Sequence, residues 1–120
     1  MTDATSTRDA IVATARDYYE GWYDADAGRM ERALHPDLMK RSLADGSSIE
    51  NITAQEMIDA AGEGMGRRDD PEQRRISISV DHVHGSIATV SVTGPIYVDY
   101  LQLVEVDGRW RILNALWCRS

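Results

Sequence analysis

The chain has 120 residues, 42% hydrophobic and 28% charged, the balance of one globular domain and too short for two domains with a cleft between them. No stretch approaches the ~20 apolar residues that cross a bilayer, and the polar, acidic start Met1-Thr2-Asp3-Ala4-Thr5-Ser6 is unlike a signal or transit peptide. Thirteen basic against 20 acidic residues leave a net charge of −7, which argues against nucleic acid as a partner, and the single cysteine, Cys118, forms no internal disulfide, as expected of a cytoplasmic protein.

In chain order, Ser6-Thr7-Arg8-Asp9 has capping-box spacing and opens a first helix of about four turns. Ile11, Ala15, Tyr18 and Trp22 form its buried stripe, widened by Val12 and Tyr19. Asp26 caps a second, shorter helix with Met30, Ala33 and Leu34 inward, and His35-Pro36 ends it. A short strand follows over Leu38 to Leu43. Ala44-Asp45-Gly46-Ser47 is a turn, and Ser48 to Ile52 pairs back. Thr53-Ala54-Gln55-Glu56 is a full capping box for a third helix with Met57, Ile58, Ala61 and Met65 inward. The apolar-free run Arg67 to Arg75 is expected to be a solvated, mobile loop.

From Ile76 the apolar period becomes two. Strands are predicted around Ile76–Asp81, over Ile87–Val92, over Ile96–Val106 and over Arg109–Cys118. The Asp107-Gly108 pair between the last two demands a type I′ turn. The four form an antiparallel meander. On simple alternation, Tyr100, Gln102, Val104 and Val106 face outward on the long strand, and Trp110, Ile112, Asn114 and Leu116 on the last. That face is too apolar for a monomer in water and predicts a homodimer through the outer sheet face.

Standard catalytic motifs are absent: no GxGxxG, P-loop, HExxH, CxxC or GxSxG. Gly62-x-Gly64-x-Gly66 is a fraying helix end. His82-x-His84 shares one strand face, a spacing that serves metals, but no third ligand follows, so two half-exposed residues beside a turn are expected and no metal or cofactor is called for. Cys118 is expected to be a small buried hydrophobe.

The aromatic set is less ordinary: three Trp and five Tyr with no Phe. Tyr18, Tyr19, Trp22 and Tyr23 crowd one helix end, Trp117 ends the last strand, and Tyr97 and Tyr100 flank Asp99. Tyrosine and tryptophan carry polar handles that need partners when buried, so these residues serve either an ordinary core or the walls of a ligand pocket. Asp99 shares its strand face with Tyr97, Leu101 and Leu103. A carboxylate there is costly unless paired with a basic residue such as Arg111, open to solvent, or neutral and anchoring a ligand.

These residues resemble those of the nuclear transport factor 2-like superfamily, and within it the lumazine-binding, SnoaL-like bacterial proteins. The likeness rests on Tyr19-Glu20-Gly21-Trp22-Tyr23 with Asp26, on His35-Pro36-Asp37-Leu38-Met39-Lys40-Arg41, on Asp99-Tyr100-Leu101-Gln102-Leu103-Val104 and on Gly108-Arg109-Trp110-Arg111-Ile112-Leu113-Asn114 with Trp117, in order over nearly the whole chain. It implies one α+β domain over residues 1–120, a cone of curved antiparallel sheet packed on three helices from the N-terminal half, and sheet-to-sheet homodimers.

A more distant likeness is to ketosteroid isomerase, which holds an enolate with a tyrosine and a protonated aspartic acid. It places Tyr18 and Asp99 on that pair and Trp117 on a pocket wall. The isomerase's carboxylate base falls on Ser42, with Lys40 and Arg41 beside it. Lys40, if desolvated, and His35, expected near the cone mouth unless it merely caps the helix before proline, are the substitute bases. The expected pocket is walled by Tyr18, Trp22, Met57, Leu101, Leu113 and Trp117 and anchored by Asp99. It implies a binding protein for a flat heteroaromatic or polyketide-like small molecule. The alternative is a cofactor-independent isomerase, cyclase or dehydratase that uses Tyr18, Asp99, His35 and Lys40.

Overall fold

The change of apolar period near residue 76 becomes a change of layer: helices from the first half pack on a sheet completed by the second. The computed structural model describes residues 4–43 and 46–120. The first three residues of the polar start and the Ala44-Asp45 half of the predicted turn lie outside the described residues. Three helices and six strands follow in the order α1 (Ala4–Tyr23), α2 (Ala27–Ala33), β1 (Leu34–Leu43), β2 (Ile49–Thr53), α3 (Ala54–Gly62), β3 (Ser77–His84), β4 (Ile87–Thr93), β5 (Tyr97–Val106) and β6 (Arg109–Arg119).

α1 already runs at Ala4, so Ser6 lies inside the helix and is not its cap. Its buried residues are Ile11, Thr14, Ala15, Tyr18, Tyr19 and Tyr23, a stripe that broadens toward the C-terminal end. Asp26 caps α2 as expected, accepting from the Arg29 backbone N–H at 3.0 Å. Arg29 bridges back to Asp17 at 2.8 Å and to Glu20, fixing α2 against α1. The Thr53/Glu56 capping box is formed in both directions and starts α3.

β1 is longer than predicted. Leu34 caps α2 in an extended conformation, and His35-Pro36 continues that extension as strand. Proline cannot stay helical, but its fixed φ is compatible with a strand that tolerates a missing donor. The pairing register of β1 is irregular between Leu34 and Met39, which straddles the proline.

The sheet order is β2-β1-β6-β5-β4-β3. All neighbours are antiparallel except β1 and β6, which run parallel because the chain passes through α3 and the meander before returning. Asp107 (φ 53) and Gly108 (φ 77) both sit in the left-handed region, the requirement of the type I′ turn read from their identities. The sheet is curved and open, with the helices on its inner face. There α1 meets β6 through Thr14, whose hydroxyl lies 3.0 Å from the Trp110 carbonyl.

Two expectations are corrected. A bulge in β6 opposite Gln102 and Leu103 pairs Gln102 with Asn114 but Leu103 with Ile112, leaving Leu113 as the extra residue. The alternation inverts there. Trp110 and Ile112 are buried on the inner face, whereas Asn114 and Leu116 keep their predicted outward parity. The second correction is Cys118: it follows the inward Trp117 near the end of β6 and is exposed. The Arg67–Arg75 run is also less free than its composition implies. The Arg68 N–H donates to the Tyr23 carbonyl at 3.1 Å, and Arg74 pairs with Asp24 at 2.7 Å while covering the Tyr23 ring. The segment is docked on the end of α1.

Candidate functional site

The C-terminal end of α1, the start of α3 and the inner faces of β1, β5 and β6 converge on a cavity of about 340 Å³. That is the lower end of the range for small-molecule pockets, roughly 300–1,000 Å³. Tyr18, Tyr19 and Trp22 come from α1, Met57 from α3, Lys40 from β1, Tyr97 and Asp99 from β5, and Trp117 from β6. Ile52 closes one side, while Glu50, Met65 and Arg119 complete the lining.

Position along each element explains this convergence. Beyond the proline, Leu38, Lys40 and Ser42 are the buried members of β1, as Leu34 is before it, so the strand period puts Lys40 inside despite its charge. Asp99, Leu101 and Leu103 are the buried members of β5. Asp99 pairs across the sheet with Trp117, and Trp117 pairs on its other side with Ser42, which brings β5, β6 and β1 to one level of the cone.

Asp99 is 3% exposed. Its Oδ2 accepts from the Tyr19 hydroxyl at 2.5 Å, and its Oδ1 is buried with no partner. Burial holds the Asp99 carboxyl above the ordinary aspartate range, while Lys40 and the Tyr19 hydrogen bond pull it back down. The Tyr18 hydroxyl is likewise buried and unpartnered. Burial, then the Asp99 charge, pushes its pKa well above that of a free phenol, so it remains a donor at any ordinary pH.

Lys40 is 9% exposed. Its Nζ lies 4.9 Å from the Trp117 ring centroid, 5.2 Å from Tyr18 and 5.9 Å from Trp22. Among the described residues it makes no ion pair. Burial lowers its pKa and the Asp99 charge opposes that. Ring faces near an ammonium contribute about 0.5–2 kcal/mol each, whereas burying an ion costs several. Desolvation therefore prevails, and the amine is easier to deprotonate than a surface lysine.

The walls are locked from outside. The Trp22 indole N–H donates to the Tyr97 hydroxyl at 3.2 Å, and the indole lies flat on Gly66. A Cβ at Gly66 would sit 2.0 Å from the ring, so only glycine fits. Tyr97 packs edge-on to Trp117 and stacks on Tyr23.

Of the residues selected from sequence, Tyr18, Trp22, Met57, Lys40, Asp99 and Trp117 meet at the cavity. Three others do not. Leu101 is on the inner face but sealed in the core. Leu113, displaced by the bulge, faces a shallow depression on the opposite side of the sheet with His82 and His84. His35 lies at the other end of β1, and its Nδ1 accepts from the Asp37 backbone N–H at 3.0 Å. Asp99 meets Tyr19 and the Lys40 charge; Arg111 lies in a different depression. Tyr19 as the direct partner of Asp99 was not evident in the sequence, because two adjacent tyrosines on one helix face carry no signal that ranks them. No group of three or more His, Cys, Asp or Glu side chains among the described residues is arranged to hold a metal ion, and no helix among them is long and apolar enough to cross a membrane.

A protein-family model described as "Putative lumazine-binding" matches residues 6–118. The chain is similar to a curated aldolase, FrzH, from Cladobotryum sp, 26% identical over 125 residues that cover 94% of this chain and 91% of that one. Among solved structures it is similar to a nuclear transport factor 2-like protein of unknown function from Silicibacter pomeroyi DSS-3, with a TM-score of 0.83, 20% identity, and 98% and 99% of the two chains covered. It is also similar to a type 2 hexachlorocyclohexane dehydrochlorinase, LinA, with a TM-score of 0.63, 16% identity, and 97% and 86% covered. The structural likenesses establish the fold.

Proposed function

The chain belongs to the "Putative lumazine-binding" family of nuclear transport factor 2-like proteins, and we propose that it binds a flat heteroaromatic or polyketide-like small molecule in the aromatic cavity, with a ligand carbonyl or enol oxygen held by Tyr18 and Asp99. One observation carries this reading. In a cavity walled largely by aromatic rings, the Tyr18 hydroxyl and Asp99 Oδ1 are both buried and both unpartnered. An orphaned buried polar group costs about 1–3 kcal/mol, which a ligand oxygen bridging the two would recover. The family's description fits that chemistry, since lumazine is a flat bicycle with ring carbonyls. Titrating lumazine and a panel of flat aromatic ketones against tryptophan fluorescence tests the reading, because Trp22 and Trp117 line the cavity. Saturable quenching that is reduced in Trp117→Phe and in Trp22→Phe supports it; no quenching by any member counts against it.

A second reading, acid–base chemistry on the bound carbonyl compound without a cofactor, is favoured by the buried Lys40 in the same cavity as Asp99. With the carbonyl oxygen held by Asp99 and Tyr18, the Lys40 amine would take a proton from the adjacent carbon, supplying the base absent at Ser42. The similarity to a protein named as an aldolase is in keeping with it. Exchange of α-hydrogens of a bound ketone in D₂O, followed by NMR, tests it; exchange that survives Lys40→Met removes Lys40 from the role.

The outer sheet face, with Tyr100, Leu116 and Ile87 exposed, is the surface we assign to a second copy of the chain. A free, exposed Cys118 is compatible with a reducing cytoplasm.

A further inference from the structure

We propose that Lys40 is an amine nucleophile that captures aldehydes or ketones in the cavity as an imine, so that the substrate class is a flat aromatic or conjugated aldehyde or ketone. This rests on the reading that the cavity holds a carbonyl compound.

The first support is the distribution of cations. The chain has thirteen lysine and arginine residues, and Lys40 is its only lysine. The twelve arginines are all exposed or half-exposed, and the one lysine is buried. Surface charge and solubility are therefore met by guanidinium throughout. Guanidinium stays protonated and is no nucleophile at ordinary pH, whereas an ammonium can lose its proton on burial. The one lysine of this chain stands where burial favours the neutral amine.

The second support is what surrounds it. An ammonium kept for structure would be paired, yet among the described residues Lys40 makes no ion pair: three ring faces lie 4.9–5.9 Å from Nζ, and the Asp99 charge acts on it from the same cavity without a salt bridge. Lys40 is itself one of the side chains lining the cavity that the ligand would fill. Asp99 lines the same cavity with Oδ1 unpartnered, and burial holds its carboxyl toward the protonated form. The pair supplies both parts that imine formation needs, a nucleophile and a proton carrier.

The steps balance. The neutral Nζ lone pair bonds to the carbonyl carbon as the C=O π pair moves to oxygen, which takes the Asp99 proton. The ammonium so formed returns a proton to Asp99, leaving a carbinolamine. Asp99 then protonates the hydroxyl, the C–O bond breaks, water leaves, and the nitrogen lone pair closes the C=N bond. The products are a Lys40 iminium, water and an Asp99 carboxylate beside the new positive charge.

The test uses the full chain, 6-methoxy-2-naphthaldehyde and sodium cyanoborohydride at pH 7, with intact mass and tryptic mapping. The only competing primary amine is the N-terminus. The expected result is one reduced adduct on the Lys40 peptide, formed at least tenfold faster than on a free lysine peptide. It should be absent from Lys40→Met and Lys40→Arg and slowed at least tenfold in Asp99→Leu, with circular dichroism confirming that at least one Lys40 variant is folded. A chain modified only at the N-terminus, or at Lys40 no faster than the free peptide, overturns the proposal. In that event, quenching of tryptophan fluorescence by 2-methoxynaphthalene, which has no carbonyl, shows whether the cavity reading stands without the imine. If neither compound engages the chain, both fall together.

Discussion

The Tyr19 hydroxyl donates to Asp99 Oδ2 at 2.5 Å across 80 residues of sequence, while the Tyr18 hydroxyl, one residue earlier on the same helix, is buried without a partner. The two rings pack edge to face at 5.4 Å. Adjacent helix positions differ by about 100° in direction, so both reach the inner side but at different angles. Tyr19 secures Asp99, and the Tyr18 hydroxyl is left unpartnered at the cavity.

This division predicts opposite outcomes for two conservative changes. Tyr19→Phe removes the one donor to a buried carboxyl and should cost about 1–3 kcal/mol of stability, with Asp99 moved further toward its protonated form because the hydrogen bond that lowers its pKa is gone. Tyr18→Phe removes an orphaned hydroxyl, so it should leave the melting temperature unchanged or raised and weaken ligand binding roughly 5- to 150-fold. Thermal melts and titrations of both variants check the pair; equal destabilisation by both would contradict it.

Gly66→Ala tests whether the cavity wall is held from behind. The new methyl would meet the Trp22 ring at 2.0 Å, so the indole must leave its place, losing its bond to the Tyr97 hydroxyl and its face toward Lys40. Overpacking of this kind costs about 1–3 kcal/mol. The near-ultraviolet circular dichroism of the tryptophans should change as well. An unaltered spectrum and melt would show that Trp22 is not so confined.

Lys40→Met should alter how stability depends on pH. Burial holds the folded Lys40 below the ordinary lysine pKa. Between that lowered value and about 10.4, the folded chain binds fewer protons than the unfolded one, so stability rises with pH across this window. Asp99 acts oppositely: its raised pKa means that stability falls as pH climbs from about 4 toward the folded value. Lys40→Met should therefore melt at or above wild type near pH 7, and wild type should gain on it as pH rises toward about 10. Parallel melting profiles across that range would contradict a desolvated lysine.

The outer sheet face supplies a fourth prediction. Tyr100 is 61% and Leu116 55% exposed, and the two are paired across β5 and β6 with the Gln102–Asn114 hydrogen bond nearby. Leu116→Glu should convert a dimer to a stable monomer of 13.4 kDa in light scattering, with the melt displaced by only a few degrees. A wild type that is already monomeric at micromolar concentration would end this assignment.

Local chemistry made much of the fold legible. Thr53 and Glu56, Asp26, and Asp107-Gly108 each specify a backbone geometry by their own side chains or permitted φ, and each is found as expected. Strand parity also placed Asp99 inside, because β5 is regular over Tyr97 to Gln102. Parity failed on β6, where one extra residue at Leu113 inverts the faces for Trp110 and Ile112. A bulge is a relation between two strands, and an alternating run does not reveal it. The cavity was legible in its aromatic walls and in Asp99. Its chemistry was less so, because Lys40 is surrounded by rings contributed by α1 and β6, a pairing that only the assembled sheet creates.

The most direct test of the central claim, that Asp99 is a neutral donor anchoring a ligand in this cavity, is the dissociation constant of the tightest-binding flat carbonyl compound for wild type, Asp99→Asn and Asp99→Leu, measured by tryptophan fluorescence on folded protein. Asparagine can still accept from Tyr19 and still donate to a ligand oxygen, so Asp99→Asn should bind within about threefold of wild type, whereas Asp99→Leu should lose roughly 5- to 150-fold. Wild-type affinity in Asp99→Leu, or an Asp99→Asn loss as large as that of Asp99→Leu, would contradict the account.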